Sequence, residues 1–306
     1  MRTNDLPGGG ALPTTSGFQI SDARRSWLPA VLSRARCLLV ALLFVAAAAQ
    51  AEDLIRDFPI PTIVALGKEL YLRDQLASDA FDALLATHPE AKERPVRGWI
   101  TQADKDAECV YVVQEYGSEA SLAYTVAFPE RHAPKVEDQH GAGLPDFVAK
   151  RYAARKAALA AIPKRMAERY NAEVLDAPDG QGFLVYALAS TVNPNEVMVG
   201  GHYRFTVSAD GKVQQVDALS RSALVLQKKS SDVPKDATVE GYAVSHVVSN
   251  TPVETHVYIS LLHKMPLYVS TPDHTIWKVS DGEISKVDVN NDKQEVEKPA
   301  GGETKL

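Results

Sequence analysis

The apolar spacing of this chain switches from a helical to a strand period twice, and that alternation limits the folds open to it. Between about 61 and 87, Ile63, Val64, Leu66, Leu70, Leu72, Leu76, Phe81, Leu84 and Leu85 recur at roughly helical intervals. Gly67 predicts a break in this helix and His88-Pro89 its stop. Three β-like runs follow, 96–101, 108–115 and 120–128, joined by the turn-prone Asp104-Lys105-Asp106 and Tyr116-Gly117-Ser118. Connectors this short predict an antiparallel meander.

Residues 129–144 read as loop. A second helix is expected from Pro145, with Val148, Tyr152, Leu159, Ile162, Met166 and Tyr170 as its apolar stripe and Pro163 kinking or dividing it. Strands are then expected over 182–190, 197–208, 212–222, 242–248, 253–262, 267–270, 276–279 and 283–287. Ala209-Asp210-Gly211 and Ser280-Asp281-Gly282 are hairpin signals. Gly200-Gly201 marks a bulge or a close backbone approach. Residues 289–306 are charged and poor in apolar side chains, the composition of a disordered tail. The order predicts an α+β fold of antiparallel β-sheets with two main helical segments. It suits two αβββ-like subdomains, 52–135 and 141–288. No residue-level repeat supports a duplication.

The first 51 residues have the layout of an export leader. Arg34-Ala35-Arg36 precedes an apolar run from Cys37 to Ala49, and Ala49-Gln50-Ala51 offers small residues to a signal peptidase before Glu52. The apolar run is shorter than the roughly 20 residues a bilayer helix needs. Cleavage after Ala51 is therefore expected, and a periplasmic or extracellular product. The leader's length leaves two readings: a start codon set too far upstream, or a twin-arginine signal on Arg24-Arg25-Ser26-Trp27-Leu28.

Removing the leader changes the composition that matters. The remaining 255 residues carry 28 basic and 37 acidic side chains, a net charge of −9. That balance argues against a nucleic-acid binder. Cys37 leaves with the leader, so Cys109 stands alone in the β-like run Glu108–Val113 and reads as a buried core thiol. A chain of this length folds without disulfides.

Motifs that announce chemistry are missing. The chain has no G-x-S-x-G elbow, P-loop, dinucleotide fingerprint, H-E-x-x-H or C-x-x-C. The best constellation comes from strand alternation. In 253–261 the odd positions Val253, Thr255, Val257, Ile259 and Leu261 make a core face, and Glu254, His256, Tyr258 and Ser260 occupy the other face. In 202–208, Tyr203, Phe205 and Val207 oppose His202, Arg204, Thr206 and Ser208. If these strands neighbour each other, His202, Arg204, Glu254, His256 and Tyr258 share one face. Such a face suits an anionic or sugar-like ligand, or a metal held by His202, Glu254 and His256. It is also what an ordinary one-sided antiparallel sheet presents. His246, His263 and His274 could join it.

A second feature is the basic segment 145–172. Lys150, Arg151, Arg155, Lys156, Lys164, Arg165 and Arg169 oppose only Asp146 and Glu168. It is a candidate surface for an anionic envelope component or an acidic protein, or simply the solvated face of a helix. Together these features predict an exported, non-catalytic binding or envelope-associated module. The competing expectation is a metal-dependent hydrolase on the His202/Glu254/His256 face. No cofactor is indicated.

Overall fold

A computed structural model describes residues 55–103, 107–129, 133–228 and 240–288. The expected export leader, the 104–106 connector and the charged tail lie outside the described residues. The described residues form an α+β fold of three α-helices and four sheets in which antiparallel pairing dominates.

Helix α1 spans Ile60–Thr87, with Pro59 as its N-cap and a proline in the first turn, where a missing N–H costs no hydrogen bond. The break expected at Gly67 does not occur. A Cβ there would lie 2.5 Å from the Val257 Cβ and 2.7 Å from the Glu254 carbonyl oxygen, so glycine is the notch where a later helix crosses α1. Leu76, Ala80 and Leu84 on the second half of α1 pack on the first sheet.

That sheet is the expected meander, β1 (Val96–Ala103), β2 (Glu108–Tyr116) and β3 (Glu119–Ala127), extended by β4 (Lys135–Ala142) in the order β1-β2-β3-β4. Strand β4 corrects the loop expected over 129–144. It is an edge strand, mostly exposed, and its charged sequence KVEDQHGA hides the strand period. Helix α2 (Asp146–Ala160) starts where expected, but it stops three residues before Pro163. Tyr170 therefore belongs not to this helix but to β5 (Arg169–Asp176).

The second sheet runs β5-β6-β8-β9, with β6 (Phe183–Ser190) at its centre, β8 (Tyr203–Val207) and β9 (Val213–Ala218). Strand β6 is buried along nearly its whole length because both its faces are covered. Val174, Val185 and Phe205 face α2, while Leu175, Leu184 and Tyr186 face the core that α1 shares with residues of the Glu254–His263 segment. The long strand expected over 197–208 is two strands. β7 (Glu196–Met198) leaves to pair with β10 (Val225–Gln227), and Gly200-Gly201 makes the close approach expected of it, 2.6 Å from a Cβ at Gly200 to the Ser222 carbonyl oxygen.

The last sheet is β11 (Tyr242–Ser245), β12 (Leu267–Ser270), β13 (Ile276–Ser280) and β14 (Glu283–Lys286). The expected hairpin joins β13 to β14, with Asp281 and Gly282 at φ 55° and 75°, the signs of a type I′ turn. The strand expected over 253–262 is instead helix α3 (Glu254–His263). The reason lies in its neighbours. β11 and β12 pair in parallel, and parallel strands need a crossover connection, which α3 supplies. Its β-branched and aromatic residues satisfy burial on all sides, since every position from Glu254 to Ser260 is buried.

Candidate functional site

The helical form of 253–263 removes the solvent-facing sheet face but brings two of its members together. Arg204 on β8 and Asp217 on β9 are directly opposed in register. Arg204 donates from Nε and Nη2 to Asp217 Oδ2 at 3.0 and 2.7 Å, and from Nη1 to Glu254 Oε1 at 2.6 Å. Nη2 also donates to the Arg56 carbonyl, and the guanidinium lies 4.6 Å from the Phe58 ring centre. Asp217 Oδ1 accepts from the Arg56 N–H and the Gln215 amide. Arg204 is 1% exposed and Glu254 0%. Burial pushes the Glu254 carboxyl up, against the pull of Arg204. Burial also opposes charge on Arg204, but Glu254 and its other neighbours outweigh it and hold the guanidinium above its usual value. This knot ties α3 to the second sheet.

The histidines are fixed as neutral rings. His202 Nδ1 accepts from the Ala189 N–H at 2.9 Å, which leaves Nε2 to donate to the Met198 carbonyl at 3.2 Å. His256, third residue of α3, reaches back so that Nδ1 accepts from the Val253 N–H at 3.1 Å, a side-chain cap on the helix start. His246 lies edge-on to His256, ring centres 4.9 Å apart. Its Nε2 donates to Ser249 Oγ, whose own proton goes to the Thr251 carbonyl. Burial drives His202 and His246 down to about 4, and His256 well below its usual range.

The proposed metal set meets a physical obstacle. Both His202 nitrogens are occupied by backbone groups and one Glu254 oxygen by Arg204. Among the described residues, no group of three or more His, Cys, Asp or Glu is arranged to hold a metal ion.

Tyr258 belongs to a second buried cluster that the sequence pattern did not assemble. Its hydroxyl donates to Asp74 Oδ2 at 3.1 Å. Nearby, Trp99 Nε1 donates to Glu173 Oε1 at 3.0 Å, and burial lifts the Glu173 carboxyl to about 7, with Asp74 adding to the rise. Arg155 lies 5.5 Å from the Trp99 ring centre. Its Nε is buried and has no partner among the described residues, and burial lowers its affinity for the proton. No single strand or helix period carries these residues, which come from α1, β1, α2, β5 and α3.

The basic segment does not form one helical face. Arg151 is paired with Asp176 at 2.6 Å and Lys156 with Glu115 at 2.5 Å, and Arg155 is buried. Lys164, Arg165 and Arg169 lie beyond the helix end. Cys109 is buried, as its β-like run implied.

An open groove lies at the far end of the first sheet. Gln114 and Tyr116 of β2, Glu119 and Ser121 of β3, His140 and Gly141 of β4, and Arg94 line a concavity of about 510 Å³. Register explains the assembly, because Gln114 faces Ser121 and Tyr116 faces Glu119 across the β2–β3 hairpin. Between the pairs Leu122–Ala142 and Tyr124–Asp138, β4 carries two extra residues. This bulge holds His140 and Gly141 at φ 50° and 79°.

Arg94 forks onto Asp138 and stacks 4.4 Å from the Tyr124 ring centre. Burial pushes the Asp138 carboxyl up, yet the Arg94 fork outweighs it and leaves it below the usual range. Gln114 is 5% exposed. Its amide nitrogen donates to Ser121 Oγ at 3.3 Å, and its Oε1 has no partner among the described residues. Tyr116 is 64% exposed. The sequence signal for this site was slight: Tyr116 stood out only as part of a turn, and cross-strand register, not spacing, gathers the rest.

Comparison with family models, curated proteins and solved structures gives no match to this chain.

Proposed function

We propose that this chain is a non-catalytic binding module of the export compartment, with the groove over Gln114 and Tyr116 as its ligand site. The observation that carries the reading is an open concavity with an exposed aromatic ring in its lining. Tyr116 is 64% exposed there, with the Glu119 carboxylate and the Ser121 hydroxyl also lining the groove. Concave sites with a few convergent polar groups are the usual form of small-ligand pockets, and this one falls within their range of roughly 300–1,000 Å³. The leader over residues 1–51 supports the compartment.

Ligand-observed NMR of the purified chain against a library of small polar compounds, with hits mapped on amide spectra of the labelled protein, tests the site. Hits are expected to weaken in Tyr116→Ala and to shift the amides of Gln114 and Ser121. Hits that ignore Tyr116→Ala and map instead to 202–204 and 254–258 would overturn the proposal. The export claim is checked by mass: a product beginning at Glu52 is expected outside the cytoplasm, and an uncleaved cytoplasmic chain contradicts it.

A further inference from the structure

We infer that the groove recognises a neutral saccharide, an inference that rests on the binding-module reading above. Charge excludes the simplest alternative. The one guanidinium among the groove's lining residues, Arg94, is already forked onto Asp138, and Glu119 is an exposed member of the same lining. An incoming anion would meet a compensated cation and an uncompensated carboxylate. A neutral ligand meets neither penalty.

The remaining groups have the mixture that sugar hydroxyls match. Each hydroxyl both donates and accepts. Glu119 accepts, while the Ser121 hydroxyl has a proton to give, its oxygen already accepting from Gln114. Tyr116 supplies a flat, amphipathic ring for the C–H face of a pyranose, at little cost in side-chain entropy. The turn behind it is tight, with Gly117 at φ 64° and Tyr116 paired to Glu119, so the ring is carried on a short hairpin and not on a long loop. The groove is open to solvent, which suits a chain crossing it better than a single enclosed sugar.

Isothermal titration of the full chain with maltohexaose, cellohexaose and hexa-N-acetylchitohexaose tests this, beside inorganic phosphate and a tetra-aspartate peptide. At least one hexasaccharide is expected to bind. Tyr116→Ala should weaken it about tenfold, the loss of one good contact, and Tyr116→Trp should restore or improve it. Circular dichroism confirms that both variants stay folded. Phosphate or tetra-aspartate binding that depends on Tyr116, with no saccharide bound, overturns the saccharide assignment and leaves the groove as the site. Saccharide binding that Tyr116→Ala does not change overturns the placement. No binding by any of the five probes overturns the saccharide assignment, and the compound library above then decides the groove itself.

Discussion

The knot around Arg204 and the groove over Gln114 each hold an arginine forked onto an acid, and they differ in how far the surrounding side chains are open to solvent. Arg204 serves two carboxylates, a carbonyl and an aromatic ring. His202 and His256 serve backbone N–H groups that strand and helix ends leave open. In the groove, Arg94 is occupied in the same way, but the Tyr116 ring and the Glu119 carboxylate stand open to solvent. Residue type is therefore a poor guide to a site. The useful question is which side chains the fold leaves exposed.

The contrast breaks first at Arg204. Arg204→Ala strands Glu254 and Asp217 as buried, unpaired acids, and the expected loss is about 3–5 kcal/mol by urea denaturation. A loss under about 1 kcal/mol would mean that the knot does not hold the fold together.

Charge state sharpens it next. The buried neutral histidines have folded-state values below their unfolded ones, so their stabilising contribution is complete above about pH 6.5 and is lost as pH falls toward 4. Glu173 has the opposite sign. Its folded value of about 7 lies above the ordinary 4.5, so stability is lost as pH rises from 4.5 to 7, on the order of 3 kcal/mol. Glu173→Gln removes that opposing slope. Its stability should climb more steeply than wild type between those limits, and parallel pH curves would show that Glu173 carries no such load.

Packing gives a smaller effect. Gly67→Ala drives a methyl group against Val257 and the Glu254 carbonyl, and should cost about 1–3 kcal/mol in thermal or urea unfolding. A neutral outcome would mean that α1 and α3 do not cross as closely as described. The smallest effect belongs to the groove. Tyr116→Ala should change stability by less than about 0.5 kcal/mol, because the ring is mostly exposed. A large loss would make Tyr116 a structural residue and remove it from the site.

The same contrast explains what could be read from the sequence. The β1–β3 meander, the start of α2, the hairpin at Asp281-Gly282 and the α+β class followed from local period and turn chemistry. Helix α3 did not, because ETHVYISLL is β-prone and only the parallel pairing of β11 with β12 demands a crossover there. Strand β4 was hidden by its charges. The expected proximity of Arg204 and Glu254 holds, but across a helix–sheet contact instead of a sheet face. The groove was scarcely legible, since it depends on hairpin register and a bulge that no local period encodes.

The most direct test of the central claim is an imidazole nitrogen NMR spectrum, followed with pH and with added zinc. His202, His246 and His256 should remain neutral Nε2–H rings from about pH 7.5 to about 5.5, because burial depresses all three. Zinc should leave them unchanged, with Nδ1 of His202 and of His256 already engaged. If any of the three titrates near its ordinary value, or loses its Nε2 proton to zinc, these rings form an accessible site and are not the buried structural groups described.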